Sequence, residues 1–115
     1  MLDDDPAFLQ AIGRLLSSAD LRVEQFIDPH AFLEYARMHQ PTVAVIDIYM
    51  PVMSGLEVQT RLRAASPSTR VIVLTAKDDQ SIRTKAMAGG ASAFFLKAGS
   101  EQELLAGVVA LSSDF

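Results

Sequence analysis

Thr42-Val43-Ala44-Val45-Ile46-Asp47 is the most apolar run in the chain, and the turn sequence Ile48-Tyr49-Met50-Pro51-Val52-Met53-Ser54-Gly55 follows it at once. A short β-branched run bounded by Pro41 and a Pro/Gly/Ser turn reads as a buried parallel strand, since a strand covered on both faces shows no polar alternation. Its C-terminal end carries the carboxylate of Asp47, and that edge is where open α/β sheets place their chemistry. An unpaired buried carboxylate is costly, so Asp47 requires a metal, a cation or water beside it.

Outward from this strand, helix and strand signals alternate. Asp5-Pro6 and Asp28-Pro29 are helix starts, each a capping carboxylate before a proline of the first turn. Phe8, Leu9, Ile12, Leu15 and Leu16 repeat at helical spacing after the first, and Phe32, Leu33 and Ala36 after the second, until Pro41. Between them Leu21 to Ile27 alternates as a short strand. Ser54 through Ala65 reads as a third helix with Leu56 and Leu62 inward, closed by Ser66-Pro67. Val71 to Thr75 is another continuous apolar strand. A weaker helix over Gln80 to Ala88 stops at Gly89-Gly90; Ala93 to Lys97 is the last strand and Glu101 to Leu111 the last helix. This alternation predicts a parallel sheet with helices on both faces. Only Met1-Leu2 precedes Asp3-Asp4-Asp5, where the pattern calls for a hydrophobic strand, so the first strand is expected to be truncated, with a gap beside it.

The 115 residues suit one domain, and a half-hydrophobic composition argues against disorder. No stretch has the length of a membrane span, and three aspartates directly after Met1-Leu2 argue against a signal peptide, so the expectation is a cytoplasmic protein without a membrane partner. The chain has no cysteine, which removes disulfides and thiolate chemistry. A net charge of −4 argues against direct contact with nucleic acid.

In a parallel sheet all strand C-termini share one edge, so Asp3-Asp4-Asp5, Asp47, Thr75 and Lys97 should converge. Carboxylates gathered there repel unless a cation joins them. A hard divalent ion with oxygen ligands, Mg²⁺ above all, suits the set, and the lack of cysteine and clustered histidine disfavours zinc. A cation beside an aspartate, with a hydroxyl and an ammonium nearby, is also what phosphoryl transfer to a carboxylate requires.

The acidic pair near the start, Ile46-Asp47-Ile48-Tyr49-Met50-Pro51-Val52-Met53-Ser54-Gly55-Leu56-Glu57, then Val73-Leu74-Thr75-Ala76, then Gly90-Ala91-Ser92-Ala93-Phe94-Phe95-Leu96-Lys97 resemble the receiver domain of bacterial two-component response regulators. The resemblance implies a flavodoxin-like doubly wound sheet of strand order 2-1-3-4-5, with residues 1–115 as one receiver domain and any DNA-binding output domain outside this chain. It implies phosphoryl transfer from a sensor histidine kinase to Asp47, with Thr75 following the phosphoryl group and Lys97 pairing with it. Asp4 would ligate Mg²⁺ directly, Asp3 mainly through water, and the Tyr49 backbone carbonyl would be a further ligand. Phe94 would be the aromatic switch that turns inward when Thr75 moves, and homodimer formation is compatible with this scheme. Asp5 reads instead as a helix cap. The helix over Gln80 to Ala88, with few large apolar anchors, reads as the switching element.

Two departures matter. Many receivers carry proline after the lysine, whereas this chain has Lys97-Ala98-Gly99-Ser100, so a trans peptide and a rearranged loop are expected, as in receivers of helix-turn-helix transcription regulators. Aspartyl-phosphate hydrolases of similar topology place a second aspartate two residues after the nucleophile, where this chain has Tyr49. That hydrolase and a degenerate receiver acting only by protein contact stand as the alternative readings.

Overall fold

The structure is a computed structural model that describes residues 1–99 and 101–112. Three parallel strands, β1 (Val43–Asp47), β2 (Arg70–Thr75) and β3 (Ala93–Leu96), form a sheet in the order β1-β2-β3. The helices are α1 (Pro6–Ser17), α2 (Pro29–His39), α3 (Gly55–Ala65), α4 (Gln80–Ala88) and α5 (Glu101–Ser112). Four starts are capped as their sequences dictate. Asp5 accepts from the N–H groups of Ala7 and Phe8, Asp28 from His30, Ser54 from Glu57, and Asp79 from Ser81 and Ile82.

Successive strand residues point to opposite faces, and each face has its own core. Ala44, Ile46, Val71 and Val73 pack with Phe32, Ala36, Val58, Leu62 and Ala86, the face covered by α2, α3 and α4. Val45, Ile72 and Leu74 pack with Ile12, Leu16, Leu104 and Val108, the face covered by α1 and α5. Leu62 is buried as expected, while Leu56 is only partly covered; Val58 and Gln59 hold the other most enclosed side chains of α3.

Beyond β1 the sheet continues through single residues. Leu2 makes parallel bridges to Ile46 on one side and to Phe26 on the other. The spatial order Phe26, Leu2, β1, β2, β3 is the expected 2-1-3-4-5 topology with its first two strands reduced to one pairing residue each. Leu21 to Ile27 is therefore not a strand over its length: only Phe26 enters a bridge. The physical reason is the lack of a neighbour. In this order the second strand can pair only with the first, and the first offers Met1 to Asp3. Leu21 and Val23 still turn inward and pack on the core, so the alternation is real although the ladder is not. Between this segment and β1 lies a groove of about 340 Å³, whose lining includes Leu16, Val23, Phe32, Val43, Val45 and Val108.

Lys97 falls just past the end of β3, and no cis peptide occurs among the described residues, so the Lys97–Ala98 bond is trans as expected. Gly99 adopts φ of 74°, a left-handed conformation that glycine takes without steric cost. Ser100, the end of the expected loop, lies outside the described residues.

Candidate acidic phosphoacceptor site

Four chain segments end at the same sheet edge. β1 delivers Asp47, β2 delivers Thr75, the residue after β3 is Lys97, and the Leu2 bridge places Asp3 and Asp4 beside them. Gly55 makes this edge compact: a Cβ there would lie 2.3 Å from the Asp47 carbonyl oxygen and 2.7 Å from Ile48 Cα. No larger residue fits without moving the start of α3 away from the end of β1.

Asp3 and Asp47 are 1% and 2% exposed, whereas Asp4 is open to solvent. Lys97 Nζ lies 2.6 Å from Asp3 Oδ2 and 3.4 Å from Asp47 Oδ1. The 2.6 Å contact is an ion pair, and Asp3 Oδ2 has no directed hydrogen bond beyond it. Asp3 Oδ1 accepts from the Asp5 N–H at 2.9 Å, which anchors the acidic turn. Asp3, Asp4 and Asp47 each bring a carboxylate oxygen within 4.8 Å of the others. Asp5 stands apart as the α1 cap, as the proline after it implies.

Burial pushes the Asp47 carboxyl up from its ordinary 3.8 to about 7, and the Asp3 charge adds to this. The Lys97 charge and hydrogen bond pull the other way without prevailing, and Asp4 pushes it up further. Burial works against the Lys97 ammonium, but its hydrogen bonds and charge interactions with Asp3 and Asp47 outweigh it and hold its pKa above the ordinary value. One ammonium thus fails to balance three carboxylates. An all-oxygen donor set with that residual repulsion fits a hard divalent cation such as Mg²⁺.

Thr75 is fully buried, and its hydroxyl donates to the Lys77 carbonyl at 3.1 Å and accepts from the Lys77 N–H at 3.2 Å. Tyr49 stands two residues past Asp47 with its ring partly exposed, and Lys77 Nζ lies 5.9 Å from the ring centroid. The metal role of the Tyr49 carbonyl rests on the resemblance alone. Phe94 is buried, with the Arg83 guanidinium 4.8 Å over its ring. Around it α4 is thinly attached: Ala86 is its one buried residue and Ile82 packs only in part.

Two side chains escaped the sequence reading. Phe8 serves the amphipathic pattern of α1, yet its ring centroid is 4.7 Å from Lys97 Nζ. Its place one turn past the acidic triplet was the available signal. Gln59 is buried and donates to the Ala86 carbonyl at 2.8 Å, tying α3 to the last turn of α4. A lone polar residue on a helix carries no sequence signal of that kind.

The fold and this edge define a class: a doubly wound α/β domain with an acidic cluster, a hydroxyl and an ammonium at its strand ends. Residues 1–109 match the response regulator receiver domain family. The response regulator protein TodT of Pseudomonas putida is 36% identical over 108 residues, which are 94% of this chain and 48% of TodT. The transcriptional regulatory protein NarL of Mycobacterium tuberculosis is 35% identical over 109 residues, 93% of this chain and 50% of NarL. The solved signal receiver domain of NarL from Mycobacterium tuberculosis superimposes with a TM-score of 0.87 at 32% identity, covering 98% of this chain and 94% of that one. The BeF3-activated DrrB receiver domain gives 0.86 at 28% identity, with the same coverage. The chain belongs to the response regulator receiver domain family. It spans about half the length of these sequence relatives. Among the described residues no helix is long and apolar enough to cross a membrane.

Proposed function

We propose that the domain is a phosphorylation-dependent switch that accepts a phosphoryl group on Asp47 from a phosphohistidine of a sensor kinase, in the cytoplasm, and passes the change to an output, here transcription. The observation that carries this reading is the buried Asp47 carboxylate with Lys97 Nζ at 3.4 Å and the Asp3 and Asp4 carboxylates beside it. In the transfer an Asp47 oxygen forms the O–P bond while the P–N bond breaks; the imidazole nitrogen keeps the bonding pair and takes a proton. Asp47 must be ionised to attack, and Lys97 favours that form. Asp4, Asp47 and the Tyr49 carbonyl would hold Mg²⁺ directly and Asp3 mainly through water; the bound ion supplies charge neutralisation for phosphoryl oxygens. Lys97 then pairs with the phosphoryl group, and Thr75 rotates from Lys77 to donate to it. With Thr75 moved, Phe94 is held inward and α4 shifts population at the face it forms with β3, where a second copy or an output domain can bind. The transcriptional name of the NarL relative supports that output. Thr75 and Lys97 beside the acidic group favour this reading over a contact-only receiver, and Tyr49 disfavours the hydrolase.

Incubation with Mg²⁺ and phosphoramidate should add one phosphoryl group by intact mass, and Asp47→Asn should add none. A folded wild type that takes up nothing would instead support the contact-only receiver. The same assay separates the neighbouring aspartates: Asp4→Ala should slow labelling at least tenfold at fixed Mg²⁺, while Asp5→Ala should leave the labelling rate nearly intact and remove about 1 kcal/mol of stability through the lost cap. Equal loss of labelling in both would refute that assignment.

A further inference from the structure

Lys97 emerges from β3 into Ala98 and Gly99, both exposed. Its ammonium is flanked by the acidic pair Asp3 and Asp47 and by the ring of Phe8, whose centroid is 4.7 Å away. The position of that ring is indexed to the acidic group. Asp5 N–H donates to Asp3 Oδ1, and Asp5 Oδ1 in turn accepts from the N–H groups of Ala7 and Phe8 at 3.0 and 3.3 Å. Phe8 also packs against the core of Val45, Leu74 and Leu104, which fixes the ring from its other side.

The carboxylates and the ring hold Lys97 in different ways. Carboxylate attraction depends on ionisation and weakens when the same oxygens engage a cation or form an ester with phosphorus. The quadrupole of an aromatic face depends on neither. A ring beside the ammonium therefore keeps it in reach of Asp47 throughout a cycle in which its anionic partners change. We propose that Phe8 is a positioning residue for phosphoryl transfer, acting through Lys97; this rests on the reading of Asp47 as the phosphoacceptor.

The test is a double-mutant cycle on the full chain, with initial labelling by phosphoramidate at saturating Mg²⁺ followed by intact mass. Phe8→Leu, which keeps apolar volume but removes the π face, should slow labelling roughly three- to tenfold, and Phe8→Tyr, which keeps the face, should recover most of the rate. In a Lys97→Met background Phe8→Leu should have no further effect, an outcome a merely structural role would not give. A second readout needs no variant: the Lys97 ε-methylene protons of the wild type should be shifted upfield by the ring current, and remain so after labelling. The inference is overturned if Phe8→Leu labels at the wild-type rate, if Phe8→Tyr is as slow as Phe8→Leu, if the loss recurs without Lys97, or if the ε-methylene protons are unshifted. Wild type and Asp47→Asn run alongside separate this failure from that of the underlying reading, which alone predicts their difference.

Discussion

Without a divalent ion, the domain should become less stable as the pH rises from about 4 to about 7. Asp47 titrates at 3.8 in an ordinary setting and is pushed up to about 7 in the fold, by burial first and then by Asp3. Across that window the folded chain holds a proton that the unfolded chain has lost, so the slope of stability with pH is negative. The full rise corresponds to about 4 kcal/mol, complete below the lower value and lost once the pH passes the upper one. Lys97 does not oppose this, since its raised pKa removes stability only at far more alkaline pH. Added Mg²⁺ should offset most of this loss, because protons compete with the ion for the same carboxylate; an ion at a hundred times its dissociation constant stabilises by about 2.7 kcal/mol. Urea unfolding at pH 5, 6 and 7, with EDTA or with Mg²⁺, measures both arms, and Asp47→Asn should flatten the EDTA series. A wild-type stability that climbs between pH 5 and 7 in EDTA would show that Lys97 neutralises the site, contrary to the balance inferred here.

What the amino-acid order reveals depends on whether the cause is local. The strand at Asp47 was legible because burial on both faces leaves an uninterrupted apolar run, and the placement of Asp3, Asp4, Thr75 and Lys97 at one edge followed from parallel topology. Asp5 could be set apart from Asp4 by the proline after it. Leu21 to Ile27 was misread because a ladder needs a partner: the segment has the alternation of a strand and the inward residues of one, but only Phe26 finds an extended neighbour. Phe8 hid its contact with Lys97 behind the α1 periodicity, which the core alone suffices to explain. Thr75 was placed correctly, but its hydrogen bonds to the Lys77 backbone depend on the turn that follows β2, which residue types alone do not determine.

Extending the chain with about five Val/Ile-rich residues ahead of Met1 should raise its thermal midpoint on the order of 10 °C and strengthen Mg²⁺ binding. Leu2 N–H donates to the Val45 carbonyl, and Asp47 N–H donates to the Leu2 carbonyl. In a parallel ladder the next groups along that edge belong to Val43 and Val45, and they face the groove of about 340 Å³. Across it runs the segment holding Glu24 and Phe26, the first accepting from the Met1 amino group and the second donating to the Met1 carbonyl. An extended chain continuing the line of Met1 and Leu2 would run between the two. Its side chains would alternate between the faces already marked by Leu2, beside Phe32 and Ile46, and by Met1, beside Leu16 and Val45. Burying each Val or Ile contributes about 1.5–3 kcal/mol, against about 1–2 kcal/mol for ordering each residue's backbone. With ladder bonds on both sides the net gain is on the order of 2–4 kcal/mol. The gain in ion binding follows from anchorage: the chain ahead of Asp3 and Asp4 pairs with β1 through Leu2 alone, and a longer strand would hold the carboxylates more rigidly before the ion arrives. Alternating Gly/Ser residues of the same length are the control, since they can occupy the groove but bury nothing. If the Val/Ile and Gly/Ser extensions give the same midpoint and the same Mg²⁺ affinity as the 115-residue chain, the groove is not a strand position and the order inferred from Leu2 does not extend beyond it.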